Sequence, residues 1–305
     1  MSFDVIIPTY KPGEKFSRLL QMMRKQTVKP NRLIIMNTEE KFWKKEFEDI
    51  YPLEVHHIKR ADFDHGGTRR AAAGLSDAEF FVCMTEDAIP ADDRLFEMLL
   101  APFNDPKVGA SYARQIVDAA AGEIERYTRL FNYPAKSSVK SRADIEKLGI
   151  KAYFLSDVCA MYRKSAYTEA GGFVKQAVFA EDMLMASALM DKGYCVAYAA
   201  DARVIHYHEY TAAEQFHRNF DMGAGQADFD EVFGKVKSES EGVKYVKKTV
   251  AHLNKCGKPG EAVKFIWQSG AKYMGYRLGK KYKSLPKSMV LKMCSNRGYF
   301  EKVLK

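Results

Sequence analysis

FFVCMTEDAIPADD, residues 80–93, poses the question on which the fold turns. Phe80 to Met84 are five apolar residues in a row, the run that a strand buried on both faces requires. The run does not end in a neutral polar turn. It ends on Thr85, Glu86 and Asp87, with Pro90, Asp92 and Asp93 close behind. Adjacent carboxylates repel each other, so their place at the mouth of a buried strand points to a cation or a retained proton. The bland alternative is a solvated turn capping the helix that starts near Arg94. That alternative is weakened because other metal-compatible groups fall at similar strand ends.

Working outward, FDVIIPTY reads as a strand entering a turn. FSRLLQMMRKQ then has helical spacing, with Phe16, Leu19, Leu20 and Met23 on one face. NRLIIMNT and LEVHHIKR read as further strands, and GGTRRAAAGLS as a loop entering an alanine-rich helix. Strands alternating with helices predict an α/β fold with a mostly parallel, doubly wound sheet. Ligands of such sheets sit beyond the carboxyl ends of the strands. The residues to inspect are therefore Pro8 to Tyr10, Asn37 to Glu39, and Thr85 to Asp87. GASYARQI and YFLSDVCAMYR add later strands. Between them, Asp118 to Lys151 forms a polar stretch with a short helix, long enough for a lid or an acceptor-binding insertion.

The totals bound the class. The 305 residues are 47% hydrophobic and 29% charged, which suits a globular core rather than disorder. Five cysteines (Cys83, Cys159, Cys195, Cys256, Cys294) lie far apart without a CxxC pair, which favours a reducing compartment over a disulfide scaffold. MSFDVIIPTY lacks the layout of a secretion signal, and no run nears eighteen apolar residues, so a cytoplasmic protein that does not span a membrane is expected. The charge is uneven. Residues 235–305 hold 18 basic and four acidic residues, a net +14, which leaves −5 of the total +9 for residues 1–234. A boundary near Gly234 is expected, with a ligand-binding domain over 1–234 and a basic helical region over 235–305.

Three further groups carry chemistry. HYH sets His206 and His208 two apart, on one face of an extended segment, so either could complete an oxygen-rich divalent site begun by Asp87. DHGGTRR places two glycines and two arginines before a helix, where free backbone N–H groups could meet an anion. It lacks Walker or GxGxxG spacing, and a tight turn with solvent-facing arginines is an equal reading. FAEDMLM opens a helix on Glu181 and Asp182, where the helix dipole favours ionised carboxylates and one could act as a general base.

VIIPTYKP, TED, GGF, ED and HYH, in that order, resemble family 2 glycosyltransferases of the GT-A fold. DHGGTRRAA, TEDAIPAD, ARQ, NYP, SDVCAMYRKSA and HYHEYT resemble its bacterial rhamnosyltransferase branch, over about residues 3–230. The resemblance implies that Pro8, Thr9 and Tyr10 line the base pocket of a nucleotide-sugar donor. It implies that Asp87, with Glu86 beside it, is the metal-binding aspartate, and that Arg69 faces the nucleotide or its phosphates. Asp182 becomes the catalytic base, and His206 or His208 helps to hold Mg²⁺ or Mn²⁺ and the diphosphate. Relatives carry an Asp-rich DDGS turn where this chain has Asn37, Thr38 and Glu39, so Asn37 and Glu39 must meet the nucleoside differently. Gln215 and Arg218 echo the QxxRW signature of processive relatives, but Asn219 stands in place of Trp, which argues for transfer of one or a few sugars. Arg114, Asp157 and Glu181 are the acceptor-side candidates.

These implications predict an inverting, metal-dependent transfer of L-rhamnose from dTDP-β-L-rhamnose to a lipid-linked surface glycan. The alternatives are a UDP-hexose or UDP-N-acetylhexosamine transferase, and a non-catalytic homologue that binds nucleotide sugars or glycans. In the basic region Phe265, Trp267, Tyr273, Tyr276 and Tyr282 are interleaved with Lys and Arg, which suits an anionic membrane surface at the inner face of the cell membrane. The bland reading of that region is a solvated helical hairpin that covers the domain or pairs two protomers in a homodimer. Nucleic acid is not expected as a partner, because no RRM, KH or helix-turn-helix signature accompanies the charge.

Overall fold

The computed structural model describes residues 1–234 and 239–304, so the first four residues of the basic region and the last one lie outside the description. The chain forms two compact units. The first comprises residues 1–116, 133–176 and 181–206, and the second residues 117–132, 177–180 and 207–305.

The first unit holds a nine-stranded sheet. Its strands are β1 (Phe3–Tyr10), β2 (Leu33–Thr38), β3 (Glu54–Ile58), β4 (Phe80–Met84), β5 (Ile89–Pro90), β6 (Val108–Ile116), β7 (Ser138–Lys140), β8 (Cys159–Arg163) and β9 (Cys195–Ile205). The order is β3-β2-β1-β4-β8-β6-β9-β5, with β7 paired to β9. The expected parallel sheet is present as β3-β2-β1-β4, all parallel. The other half departs from it. β8 runs antiparallel between β4 and β6, and β5 and β7 run antiparallel to β9. Only β6 and β9 are parallel there, so the sheet is mixed.

Period-two alternation explains the apolar runs. Phe80, Val82 and Met84 enter one core with Val5 and Ile7, while Phe81 and Cys83 enter the opposite core with Ile6. All five residues of β4 are fully buried, each such apolar side chain contributing about 1.5–3 kcal/mol. Gly171 at φ +88° and Gly172 at φ +73° follow helix Lys164–Glu169, which comes after β8.

The second unit is helical among its described residues. Its main helices are Glu123–Asn132, Ala212–Asp228, Glu239–Lys255 and Pro259–Gly279. Helices 212–228 and 259–279 touch backbone to backbone. A Cβ on Gly275 would lie 2.2 Å from the Phe216 carbonyl oxygen, and one on Gly279 would lie 2.1 Å from that of Phe220. On the other helix, a Cβ on Gly223 would meet the Tyr276 carbonyl oxygen at 2.3 Å. Helix 212–228 thus packs with helix 259–279 of the basic region, and both belong to the second unit. Among the described residues no helix is long and apolar enough to cross a membrane.

Candidate active site

Parallel pairing brings the first two strand ends together. Thr9 is in register with Asn37, and the Thr9 hydroxyl donates to Asn37 Oδ1 at 3.1 Å. The Asn37 amide reaches the Glu39 carbonyl oxygen at 3.3 Å and His57 Nδ1 at 2.9 Å. Glu39 accepts from the Arg60 backbone N–H at 2.8 Å, and that bond holds its carboxyl below the usual range. Lys11 and Glu39, the residues just past β1 and past Thr38, have φ of +54° and +68°, strain of the kind that gathers at ligand sites. Tyr10 is exposed. Its ring meets Phe42 edge-on at 5.7 Å, and the Arg60 guanidinium stands 5.5 Å over it. Phe42, His57 and Arg60 were not singled out in the sequence, although the HHIKR run ending β3 could have shown the last two.

Pro8, Thr9 and Tyr10 connect to the acidic turn through one bond: the Tyr10 backbone N–H donates to Glu86 Oε2 at 3.2 Å. Burial nevertheless raises the Glu86 carboxyl to about 7, with that hydrogen bond pulling it down and Asp87 pushing it up. The turn does not run directly into a helix. It enters the two-residue strand β5, whose Ile89 pairs with Ile205 of β9. That pairing sets Asp87 beside His206, with Oδ1 and Nε2 3.5 Å apart.

The histidine's protonation pattern follows from Gln115, one step along β6. The Gln115 amide nitrogen donates to Tyr133 at 2.5 Å and to Ser156 at 3.0 Å. Its Oε1 is therefore left to accept from His206 Nδ1, at 3.0 Å. Nδ1–H donation turns the Nε2 lone pair toward Asp87, the arrangement of a metal-ligating histidine with an oriented second nitrogen. The residues present fit a divalent cation. His208 belongs to the second unit and stays a third donor on the sequence argument alone. A second trio of donor types, Glu123, His252 and Cys256, lies in the helical unit, with His252 paired to Glu123 at 2.8 Å and stacked on Tyr127.

The glycine stretch behaves differently from a phosphate loop. Gly66 and Gly67 lie inside the first turn of helix His65–Leu75, and Asp64 caps it by accepting from the Gly67 N–H at 2.7 Å. A Cβ on Gly67 would lie 2.6 Å from Asp64 Oδ2 and 2.8 Å from the Lys175 carbonyl oxygen, so close packing requires this glycine. Arg70 donates to the Gly171 and Phe173 carbonyl oxygens. Arg69 is 4% exposed and turns toward carboxylates: Nη1 lies 2.9 Å from Glu181 Oε1 and Nε 3.3 Å from Asp157 Oδ2. A buried guanidinium needs counter-charge, and these two acids supply it.

Asp157 enters the site because β8 pairs with β4, Met84 opposite Cys159, and the Thr85 N–H reaches the Val158 carbonyl oxygen at 3.1 Å. Its Oδ1 accepts from the Tyr162 hydroxyl at 2.5 Å, and its backbone N–H donates to Asp182 Oδ2 at 3.3 Å. Asp182 Oδ1 accepts from the Met183 N–H at 2.7 Å. The helix start was expected to keep Asp182 ionised. Burial, with Glu181 and Asp157 as negative neighbours, outweighs the dipole and pushes its carboxyl well above the usual range. Arg114 lies on β6 beside Gln115, and its Nε is buried without a hydrogen-bond partner.

Residues 4–171 match the model of glycosyl transferase family 2. The chain belongs to that family. It is 38% identical over 297 residues to the O-antigen chain rhamnosyltransferase RfbN of Salmonella typhimurium, covering 94% of this chain and 92% of the relative. It is 36% identical over 296 residues to the O-antigen chain rhamnosyltransferase WbaN of Salmonella anatum, with the same coverage. Among solved structures, this transferase resembles a mannosyltransferase from Pyrobaculum calidifontis in complex with GDP-Man and Mn²⁺. The TM-score is 0.56 at 15% identity, over 95% of this chain and 78% of the other. It also resembles residues 1–349 of TarS from S. aureus in complex with UDP-GlcNAc, with a TM-score of 0.50 at 14% identity, over 93% and 92% of the two chains. At such identities the likeness shows the fold, which is GT-A, as the sequence resemblance implied.

Proposed function

We propose that this transferase moves L-rhamnose from dTDP-β-L-rhamnose onto a lipid-linked O-antigen-type glycan, with inversion, in a metal-dependent reaction. The observation that carries this reading is the chemistry of the site: an oriented His206 beside Asp87 at one strand end, and a proton-hungry Asp182 at the start of helix Glu181–Asp191. The two relatives named as O-antigen rhamnosyltransferases support the donor and the acceptor class. Pro8, Thr9, Tyr10, Asn37 and Glu39 hold the nucleoside, with Phe42 and Arg60 flanking the exposed Tyr10 ring. Asp87 and His206, with Glu86 beside them, would hold Mg²⁺ or Mn²⁺; His208 follows two residues on. Such a cation, when bound, supplies Lewis-acid stabilisation of the charge developing on the diphosphate. Asp182 takes the proton of the acceptor hydroxyl as that oxygen attacks the anomeric carbon. Arg114, with its unsatisfied Nε, serves the acceptor side.

The test is calorimetric titration with dTDP and with UDP, each in Mn²⁺ and in EDTA. Metal-dependent binding that favours dTDP is expected. Preference for UDP would move the donor to a hexose or N-acetylhexosamine, and no binding of either would turn the reading to a non-catalytic homologue.

The transferase works at the inner face of the membrane in this reading. Helix 259–279 supports it: opposite its glycine contact, Val263, Ile266, Trp267, Tyr273 and Met274 are all more than half exposed, and Trp267 is 74% exposed. Exposed Lys264 and Arg277 border them, and Lys244, Lys247, Lys248 and Lys255 are exposed on helix 239–255. An apolar stripe bordered by cations matches an anionic bilayer surface. The five cysteines are all free, as a reducing compartment requires. Trp267→Ser should lower partitioning onto anionic vesicles about tenfold or more, the loss of one large apolar side chain from lipid contact. Unchanged partitioning, with the protein still folded, would remove this face from the interface.

A further inference from the structure

Arg69, Asp157 and Glu181 are buried, and half-buried Asp182 joins them in one charge cluster whose balance is uneven: three carboxylates share a single fixed positive charge. The guanidinium pairs with Glu181 at 2.9 Å and with Asp157 at 3.3 Å. The second contact is an ion pair without hydrogen-bond geometry, since Arg69 Nε and Asp157 Oδ2 both lack a hydrogen-bond partner. Asp182 connects to Asp157 through the Asp157 backbone N–H, at 3.3 Å. The other titratable groups facing the cluster are neutral or exposed. Burial pushes the thiols of Cys83 and Cys159 and the hydroxyls of Tyr162 and Tyr167 upward, so they carry no charge near neutrality. His65 stands 3.9 Å from Glu181, on the exposed side.

We propose that Arg69 is a positioning residue for the base, not a phosphate ligand: its fork fixes Asp157 and Glu181, and its charge lets Asp182 give up its proton within the working pH range. The proposal rests on Asp182 being the base. Two features of the molecule carry it. Arg69 is enclosed, with Nη1 turned to Glu181 and Nε to Asp157, whereas a phosphate ligand should reach into open space. Asp157 holds the cluster to β8 through Tyr162 and to Asp182 through its own backbone. The balance of charge then sets the direction of every substitution. Asp157 is raised to about 7 by burial, with Arg69 opposing the rise. Asp182 is raised by burial and by both neighbouring acids, while Arg69 interacts favourably with all three carboxylates. Without the guanidinium, ionised Asp182 is disfavoured further, so the base form emerges only at higher pH.

The experiment measures nucleoside diphosphate release against pH, with membranes carrying the lipid-linked acceptor and the donor that the titrations select. Carboxyl ¹³C shifts of Asp-labelled protein provide a readout independent of turnover, with Asp182→Asn to assign the signal. Arg69→Gln should move the acid limb of kcat upward by about one pH unit or more, with donor KM and dTDP affinity unchanged. Arg69→Lys keeps the charge and should leave the limb near wild type, with kcat lowered by the lost fork. Arg69→Gln with Asp157→Asn removes one charge of each sign, so the limb should return toward wild type. If Arg69→Gln alone does not fold, Arg69→Lys and the double variant still decide. A rise in donor KM or a loss of dTDP affinity in them, with the limb unmoved, would overturn the proposal and return Arg69 to the phosphates. A fully active Asp182→Asn would instead overturn the base assignment beneath it.

Discussion

Asp182→Asn should lower transfer by about 10²–10⁴-fold, the usual contribution of a positioned general base, while dTDP and metal should bind as they do to the wild type. The substitution keeps the shape of the side chain and one acceptor oxygen, for the Met183 N–H, so the helix start at Glu181 should be preserved, while the bond accepted from the Asp157 N–H is lost. It removes one of three carboxylates from the charge cluster, which relieves repulsion rather than creating it. The relieved repulsion and the lost hydrogen bond oppose each other, so lost activity with thermal stability near wild type is the expected pair of results. Turnover within a few-fold of wild type would remove Asp182 as the base. Wild-type turnover should itself rise with pH through a limb above the ordinary carboxylate range, because Asp182 must be ionised to accept a proton and its surroundings resist ionisation.

Asp87→Ala is the second large effect. Activity should fall by about 100-fold or more, in line with the several kcal/mol that Lewis-acid stabilisation contributes. Nucleotide affinity in Mn²⁺ should drop to the value measured in EDTA. The fold should survive, because Asp87 sits in a turn beyond β4 and contributes no apolar burial. Equal affinity with and without metal in the wild type would sink the assignment before any variant is made. An intermediate loss with a residual metal effect would point to Glu86 as a substitute ligand, whose carboxyl lies raised to about 7 next door.

Much of the first unit was legible because burial on both faces writes a long apolar run, as in Phe80 to Met84, and because parallel strands align their ends. The acids after β4, and Thr9 and Asn37, are found from that logic alone. β8 was legible as a strand but not as an antiparallel partner, since CAMYR carries no mark of direction. The direction matters: it is what sets Asp157 at the same end as Thr85. Gln115 was visible only as part of a motif, because its role depends on Tyr133 and Ser156, residues 18 and 41 positions away. The direction of Arg69, which faces Asp157 and Glu181, was not legible because glycines followed by arginines look alike whether the backbone N–H groups are open or capped. Asp64, separated from the pair only by His65, was the available sign that the helix begins there. The composition step near Gly234 marked a change of charge and said nothing about packing, which is decided by helix 212–228.

The glycines at 223, 275 and 279 have a consequence for how this protein can diverge. They sit where two backbones meet, and an alanine at any of them would be pushed into a carbonyl oxygen. On the helix that carries Gly275 and Gly279, positions 263, 266, 267, 273 and 274 touch open space and are free to trade one large side chain for another. One helix thus carries a frozen side and a permissive side. Lineages with different lipids or glycans can retune the second without disturbing the first, and the helix can change what it meets while keeping where it stands against its neighbour.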